Sequence, residues 1–133
     1  MSTLRGLTTM VLTADDVEEA VAWYSGVLGI APYFRQPPDG DPAYIEFRIG
    51  PDEDELGIMS RSYAPDGTPR GSSSVTYWFV DDVAEALADL VARGATVHAP
   101  VTPRGEEFVT ASVTDPFGNV LGLMHSPHWQ ARH

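Results

Sequence analysis

The sequence contains no cysteine and no lysine: its 133 residues carry 8 basic side chains, all arginine, against 19 acidic ones. Without cysteine there can be no disulfide, no thiolate nucleophile and no cysteine-based zinc site, so the fold must hold by packing alone. A net charge of -11 repels phosphate backbones and anionic lipid, which argues against nucleic acid and membrane surfaces as partners. The same charge also serves as a solubility device. No run approaches the roughly 18 apolar residues of a membrane span, and Met1-Ser2-Thr3-Leu4-Arg5-Gly6 has no apolar leader core. A cytoplasmic protein is expected. The apolar content of 43% suits one compact domain with a real core.

What the chain does contain is the same text twice. Asp15-Asp16-Val17-Glu18-Glu19-Ala20 returns as Asp81-Asp82-Val83-Ala84-Glu85-Ala86, and Leu56-Gly57-Ile58-Met59 returns as Leu121-Gly122-Leu123-Met124. Two modules are expected, about residues 5–61 and 74–125. A Gly-, Pro- and Ser-rich linker, about 62–73, joins them, and a tail, 126–133, follows. In each module an acidic residue with Glu three positions on (Asp16 and Glu19, Asp82 and Glu85) marks a helix start. Val17, Ala20, Val21, Tyr24 and Leu28 recur at helical spacing, as do Val83, Leu87, Leu90 and Val91, so both sets are core faces. Gly29 and Gly94 end the helices as left-handed caps.

A strand precedes each helix, the first over Leu7 to Thr13, and three follow it. The first of the three lie near Ala31 to Arg35 and Thr96 to Ala99. Tyr44 to Ile49 and Phe108 to Thr114 alternate with period two, and Leu56 to Ser60 and Val120 to Met124 close the modules. Asp115-Pro116-Phe117-Gly118-Asn119 reads as a tight hairpin turn with Gly118 at positive φ. The tail Ser126 to His133 shows no periodicity and is expected to be only partly ordered. Trp129 within it covers a pocket or nothing.

The helix Asp16-Val17-Glu18-Glu19-Ala20-Val21-Ala22-Trp23-Tyr24-Ser25-Gly26-Val27-Leu28-Gly29, with Phe79-Val80-Asp81-Asp82-Val83 and the Asp115–Asn119 turn, resembles the vicinal oxygen chelate superfamily. That superfamily includes glyoxalase I, bleomycin resistance proteins and extradiol dioxygenases. The resemblance covers about residues 5 to 125. It implies an α+β fold of two tandem pseudo-symmetric βαβββ modules, a mixed sheet curled around a cavity, and a homodimer. In metal-dependent members one ligand comes from the first strand of each module and a carboxylate from the last. The matching positions here hold Thr9, Val75 and Gly122, with Gly57 as the pseudo-symmetric partner of Gly122. Valine and glycine offer no donor and threonine only a neutral oxygen, so no metal and no other cofactor is expected. His125 and His128 are separated by Pro127 and form no complete ligand set.

Strand parity then assigns a cavity lining. With Ile45, Phe47 and Ile49 toward the helices, Tyr44, Glu46 and Arg48 face the cavity, the last two as a charged pair. Val109, Ala111 and Val113 as core leave Phe108, Thr110 and Ser112 facing it, and Leu121 and Leu123 as core leave Gly122 and Met124. Thr9, Tyr44, Glu46, Arg48, Met59, Val75, Tyr77, Phe108 and Met124 are the expected ligand-binding residues. Glu46 and His98 are the candidates for acid or base chemistry, and Trp78 is core. Gly57 and Gly122 are expected to leave an open floor where a ligand approaches the backbone. Aromatic and thioether walls around few polar groups suit a planar small molecule.

Three functions fit. The first, expected one is a binding protein similar to the bleomycin-resistance type that sequesters a planar metabolite or antibiotic. Alternatively the chain is an enzyme of the superfamily, a lyase, isomerase or dioxygenase-like protein with a rebuilt metal site or metal-free acid/base chemistry. A third possibility is a fold kept for association, its cavity plugged. The missing donors favour the first over the second and disfavour a glyoxalase I reaction, which needs a metal to polarise an enediolate oxygen.

Overall fold

Asp16 and Asp82 start the two helices. Each has an extended backbone, and each carboxylate accepts the backbone N–H three residues on, that of Glu19 at 3.1 Å and that of Glu85 at 3.0 Å. An acidic side chain there satisfies a free donor and meets the positive end of the helix dipole. The computed structural model describes residues 2–69 and 74–133. The chain divides into two compact units between Thr68 and Pro69, inside the expected linker, of which 70–73 lie outside the described residues.

The first unit holds β1 (Thr9–Ala14), α1 (Val17–Leu28), β2 (Phe34–Gln36), β3 (Tyr44–Ile49) and β4 (Asp54–Ser60), with a 3-10 turn at Arg61–Tyr63. The second holds β5 (Thr76–Phe79), α2 (Val83–Ala92), β6 (Thr96–Gly105), β7 (Phe108–Thr114), β8 (Val120–His125) and α3 (Pro127–Arg132). The sheets have one topology, β1-β4-β3-β2 and β5-β8-β7-β6, with the first strand of each module parallel to the last. Both modules are therefore βαβββ, and the architecture is α+β.

One side chain from every second strand position goes into the core of each unit. Ile45, Phe47, Leu56 and Ile58 are buried with Val17, Ala20 and Tyr24 of α1; Ala111, Val113, Leu121 and Leu123 are buried with Val83 and Leu90 of α2. Val91, expected on the core stripe of α2, is 42% exposed instead. Gly29 takes the left-handed φ of 69° that closes α1.

Several boundaries differ from expectation: β1 begins at Thr9 rather than Leu7, and β4 at Asp54 rather than Leu56. β2 begins at Phe34 rather than near Ala31. β6 continues through Pro100 and Pro103 to Gly105 as an edge strand with three register shifts against β7, which is where proline is tolerated in a sheet. The turn that ends it falls on Glu106 and Glu107, at φ 51° and 70°. The tail is ordered as α3. Ser126 caps it by accepting the Trp129 N–H at 3.1 Å, and Pro127 occupies its first turn, where the missing N–H costs nothing.

Candidate functional site

On the face of each sheet turned away from its helix the register pairs most of the residues expected to line a cavity. In the first unit the register sets Thr9 opposite Glu55, Arg48 opposite Glu55, Glu46 opposite Gly57 and Phe34, and Tyr44 opposite Met59. In the second it sets Tyr77 and Ser112 opposite Gly122, and Thr110 and Phe79 opposite Met124. Phe108 stands half-buried at the start of β7, opposite Gly105. Val75 is half-buried and lies just outside β5.

On the first unit's face the polar groups are joined in one network. Glu46, only 9% exposed, accepts the phenol protons of Tyr33, on Oε2, and of Tyr44, on Oε1 at 2.5 Å. Arg48 does not pair with Glu46 as expected. Its guanidinium lies 3.7 Å from Glu53 and 3.8 Å from Glu55, and 4.1 Å above the Tyr33 ring. Residues two apart on one strand are roughly 7 Å from each other, whereas cross-strand partners are about 5 Å apart, so Glu55 on β4 takes the charge. Thr9 Oγ1 donates to Glu55 Oε1 at 2.8 Å. Phe34 lies between Tyr33 and Tyr44, with centroids 6.2 and 6.3 Å away.

Tyr33, Phe34 and Glu55 were not among the expected site residues. Tyr33 precedes β2 and has no alternating neighbours to assign it a face; its backbone N–H bonds to Glu46 O at 3.0 Å and so sets its ring beside that carboxylate.

Both phenols ionise above the ordinary tyrosine value of 10.0: for Tyr33 chiefly because its proton is shared with Glu46, for Tyr44 chiefly through burial and then through the same carboxylate. The sign of the resulting pH dependence follows. Above about pH 10 the unfolded chain loses phenolic protons that the folded chain keeps, so stability falls as pH rises. Tyr44→Phe removes part of that dependence. Urea midpoints between about pH 9 and about pH 11 should therefore decline less steeply in the variant than in the wild type. Parallel declines would show that Tyr44 ionises alike in both states.

Gly57 and Gly122 do not form an open floor. A Cβ at Gly57 would lie 2.6 Å from Cε1 and 2.7 Å from Cζ of Tyr44; one at Gly122 would lie 2.5 Å from Cδ1 and 2.9 Å from Cγ of Tyr77. In each module a tyrosine ring lies on the backbone of the glycine. The residues therefore do not fit the divalent ion that metal-dependent members of the resembled superfamily carry. Tyrosine rings occupy the space above the glycines, Thr9 is committed to Glu55, and Val75 has no donor. Among the described residues no group of three or more His, Asp or Glu side chains could hold a metal.

His98 is exposed on β6, with Nδ1 2.8 Å from Ser112 Oγ. The pair has base-and-hydroxyl geometry, but Ser112 is 4% exposed, which shields its oxygen from a substrate carbonyl. Arg104 Nε donates to Thr110 Oγ1 at 2.9 Å. Trp129 covers an aromatic side chain rather than a cavity: it stacks on Phe79 at 4.3 Å and 16°, and His133 stacks on it at 3.8 Å. A cavity of about 340 Å³ opens elsewhere, at the start of α1, lined by Asp15, Asp16, Glu18, Asp41 and Ser60. It contains no expected site residue, and Asp16 there serves as the helix cap. Among the described residues no helix is long and apolar enough to cross a membrane.

The chain is similar to several solved structures. A glyoxalase-related enzyme from Fulvimarina pelagi is 22% identical, with a TM-score of 0.73 over 93% of this chain and 90% of that one. A member of the glyoxalase/bleomycin resistance protein/dioxygenase superfamily from Sphaerobacter thermophilus is 20% identical, with a TM-score of 0.72 over 94% and 100%. TioX from Micromonospora sp. ML1 is 19% identical, with a TM-score of 0.67 over 91% and 98%. At these identities the likeness concerns the fold alone. Comparison with curated proteins gives no match. The family model of the Glyoxalase/Bleomycin resistance protein/Dioxygenase superfamily matches residues 6–123, and the chain belongs to that superfamily.

Proposed function

We propose that this chain is a metal-independent small-molecule-binding protein that holds a planar, partly aromatic metabolite or antibiotic, acting in the cytoplasm as a homodimer. The observation that carries this reading is the pair of tyrosine rings lying on Gly57 and Gly122. At Gly122, the position that the resemblance matches to a metalloenzyme carboxylate, and at its pseudo-symmetric partner Gly57, a tyrosine ring lies on the backbone here. In the first unit Tyr33 and Phe34 are 46% and 42% exposed, and in the second Tyr77 is 44% exposed; on either unit's face such rings are stacking platforms for a flat partner. The network around Glu46 fixes the orientation of Tyr33 and Tyr44 before a ligand arrives, which lowers the entropy lost on binding.

A thermal-shift screen over planar antibiotics and aromatic metabolites tests the proposal. A ligand at a hundred times its Kd stabilises the folded state by about 2.7 kcal/mol, a rise of several degrees in a domain of this size. For a hit on the first unit's face Tyr44→Ala should abolish the shift, and for one on the second unit's face Tyr77→Ala should, each leaving the unliganded protein folded. A screen without hits, or a Zn, Ni or Mn ion retained at about one per chain after dialysis, would overturn the reading.

A further inference from the structure

Resting on that binding role, the hydrogen-bond polarity of the first unit's face specifies the kind of ligand. A phenol has one proton. Once Tyr33 and Tyr44 have given theirs to Glu46, each oxygen keeps only lone pairs. A phenol, whose ordinary pKa is about 10, keeps its proton at neutral pH, and the shift of both groups is upward. Thr9 has spent its only hydroxyl proton on Glu55 in the same way. The centre of the face therefore presents acceptors: the Tyr33 and Tyr44 oxygens and the rims of two carboxylates.

Donors lie at its margins. Arg48 forms ion pairs with Glu53 at 3.7 Å and Glu55 at 3.8 Å. Arg61 spends Nη1 on Thr13 Oγ1 and Nη2 on Thr68 O. Gln36 stands opposite Tyr44 at the exposed edge strand. A ligand that brings only acceptors to the centre would lose its water and meet lone pairs, a loss that hydrogen bonding inside the site cannot recover. One that brings N–H groups pairs with each oxygen it meets, and an ionised acceptor strengthens the bond.

The face already holds a side chain of this type. The guanidinium of Arg48, flat and bearing only N–H donors, lies 4.1 Å over the Tyr33 ring, the arrangement in which a planar cation is attracted to an aromatic face. Phe34 extends the aromatic surface toward Tyr44. We infer that the face formed by Tyr33, Phe34, Tyr44 and Glu46 binds planar aromatic molecules through N–H donors, of amidine, amine or carboxamide type, and rejects planar molecules that offer acceptors alone.

Four probes with one naphthalene body separate this from binding by flatness or by bulk charge: 2-naphthamidine, 2-naphthamide, methyl 2-naphthoate and 2-naphthoate. The two middle probes are both neutral, and only the amide donates. Titrations followed by ligand-observed NMR should give the amidine and the amide at least tenfold tighter binding than the ester and the carboxylate.

Glu46→Gln, checked for folding by circular dichroism, should narrow the amide-to-ester ratio to threefold or less. Tyr33→Phe frees a lone pair of Glu46 and keeps the stacking surface, so it should hold the amide as tightly as the wild type or more so. Ester bound as tightly as amide by the wild-type protein overturns the donor requirement and leaves binding of planar molecules standing. Absence of binding by all four at millimolar concentration overturns both. An amide preference that Glu46→Gln leaves unchanged, or amide binding weakened fivefold or more by Tyr33→Phe, removes this face as its source.

Discussion

Replacing Asp115 by alanine is expected to destabilise the protein by about 3 kcal/mol and to lower its melting temperature by about 10 °C. The carboxylate is 4% exposed and sits at the start of the turn that joins β7 to β8. Its Oδ1 accepts the backbone N–H groups of Phe117 at 2.9 Å and Asn119 at 2.8 Å, and its Oδ2 accepts Asn119 Nδ2 at 2.9 Å. The main chain closes the same turn, with the Asp115 N–H donating to Asn119 O at 2.7 Å. Alanine leaves three donors without that acceptor in a place where water reaches poorly, and each such loss costs about 1–3 kcal/mol before relaxation. Asp115→Asn keeps one oxygen but turns an amide nitrogen toward a donor, so it should lose roughly half as much. Chemical unfolding with an unchanged m-value would show that the native state alone is affected. A fall of less than about 3 °C for the alanine variant would mean that the turn is held by its backbone bond and by Pro116, not by the carboxylate.

That turn was legible because its signals are local. Asp, Pro and Gly at fixed offsets specify backbone angles whatever surrounds them, and Gly118 has the expected positive φ, 94°. The helix caps and the alternation of β3 and β7 were legible for the same reason: each is a pattern within one segment. Where the sequence misled, the deciding partner lay on another strand. Glu46 and Arg48 share a face, which parity reveals, but Arg48 turns to Glu53 and Glu55, which only the register of β3 against β4 reveals.

Glycine at positions 57 and 122 suggested empty space. Knowing that Tyr77 stands opposite Gly122 and that Tyr44 lies two pairs along from Gly57, on the same face, shows that a neighbour's ring fills it. The tail gave a weaker local signal. Six residues of α3 are too few for a periodicity, yet Ser126 followed by Pro127 is a cap and a first-turn proline. The extent of β6 was hidden by Pro100 and Pro103, which forbid a central strand but not an edge one.

Restoring a carboxylate at position 122 should not restore a metal site and should instead cost about 3 kcal/mol. The new Cβ of Gly122→Glu would lie 2.5 Å from Cδ1 and 2.9 Å from Cγ of Tyr77. Contact with Cγ involves the root of the ring, so the whole side chain must leave its rotamer, an overpacking that costs about 1–3 kcal/mol. Gly122 is itself buried, so the added carboxylate also lacks full hydration.

The matching substitution in the first module should behave differently. A Cβ at Gly57 meets Cε1 and Cζ, at the far end of Tyr44, and a small swing of that ring relieves the contact while pulling the hydroxyl from Glu46. Gly57→Ala should then cost only about 1 kcal/mol but weaken ligand binding at the Glu46 face. The double variant Gly122→Glu with Tyr77→Ala removes the ring and should recover at least half of the lost stability, a coupling that a double-mutant cycle measures directly. Neither glutamate variant should retain a metal, because Thr9 and Val75, which the resemblance matches to the other ligand positions, bring no imidazole or carboxylate. A Gly122→Glu protein as stable as the wild type, or one that keeps an ion through dialysis, would show that the tyrosine yields its place freely. Additive losses in the cycle would show that the cost arises from the buried carboxylate, with no part played by the ring lying on the glycine.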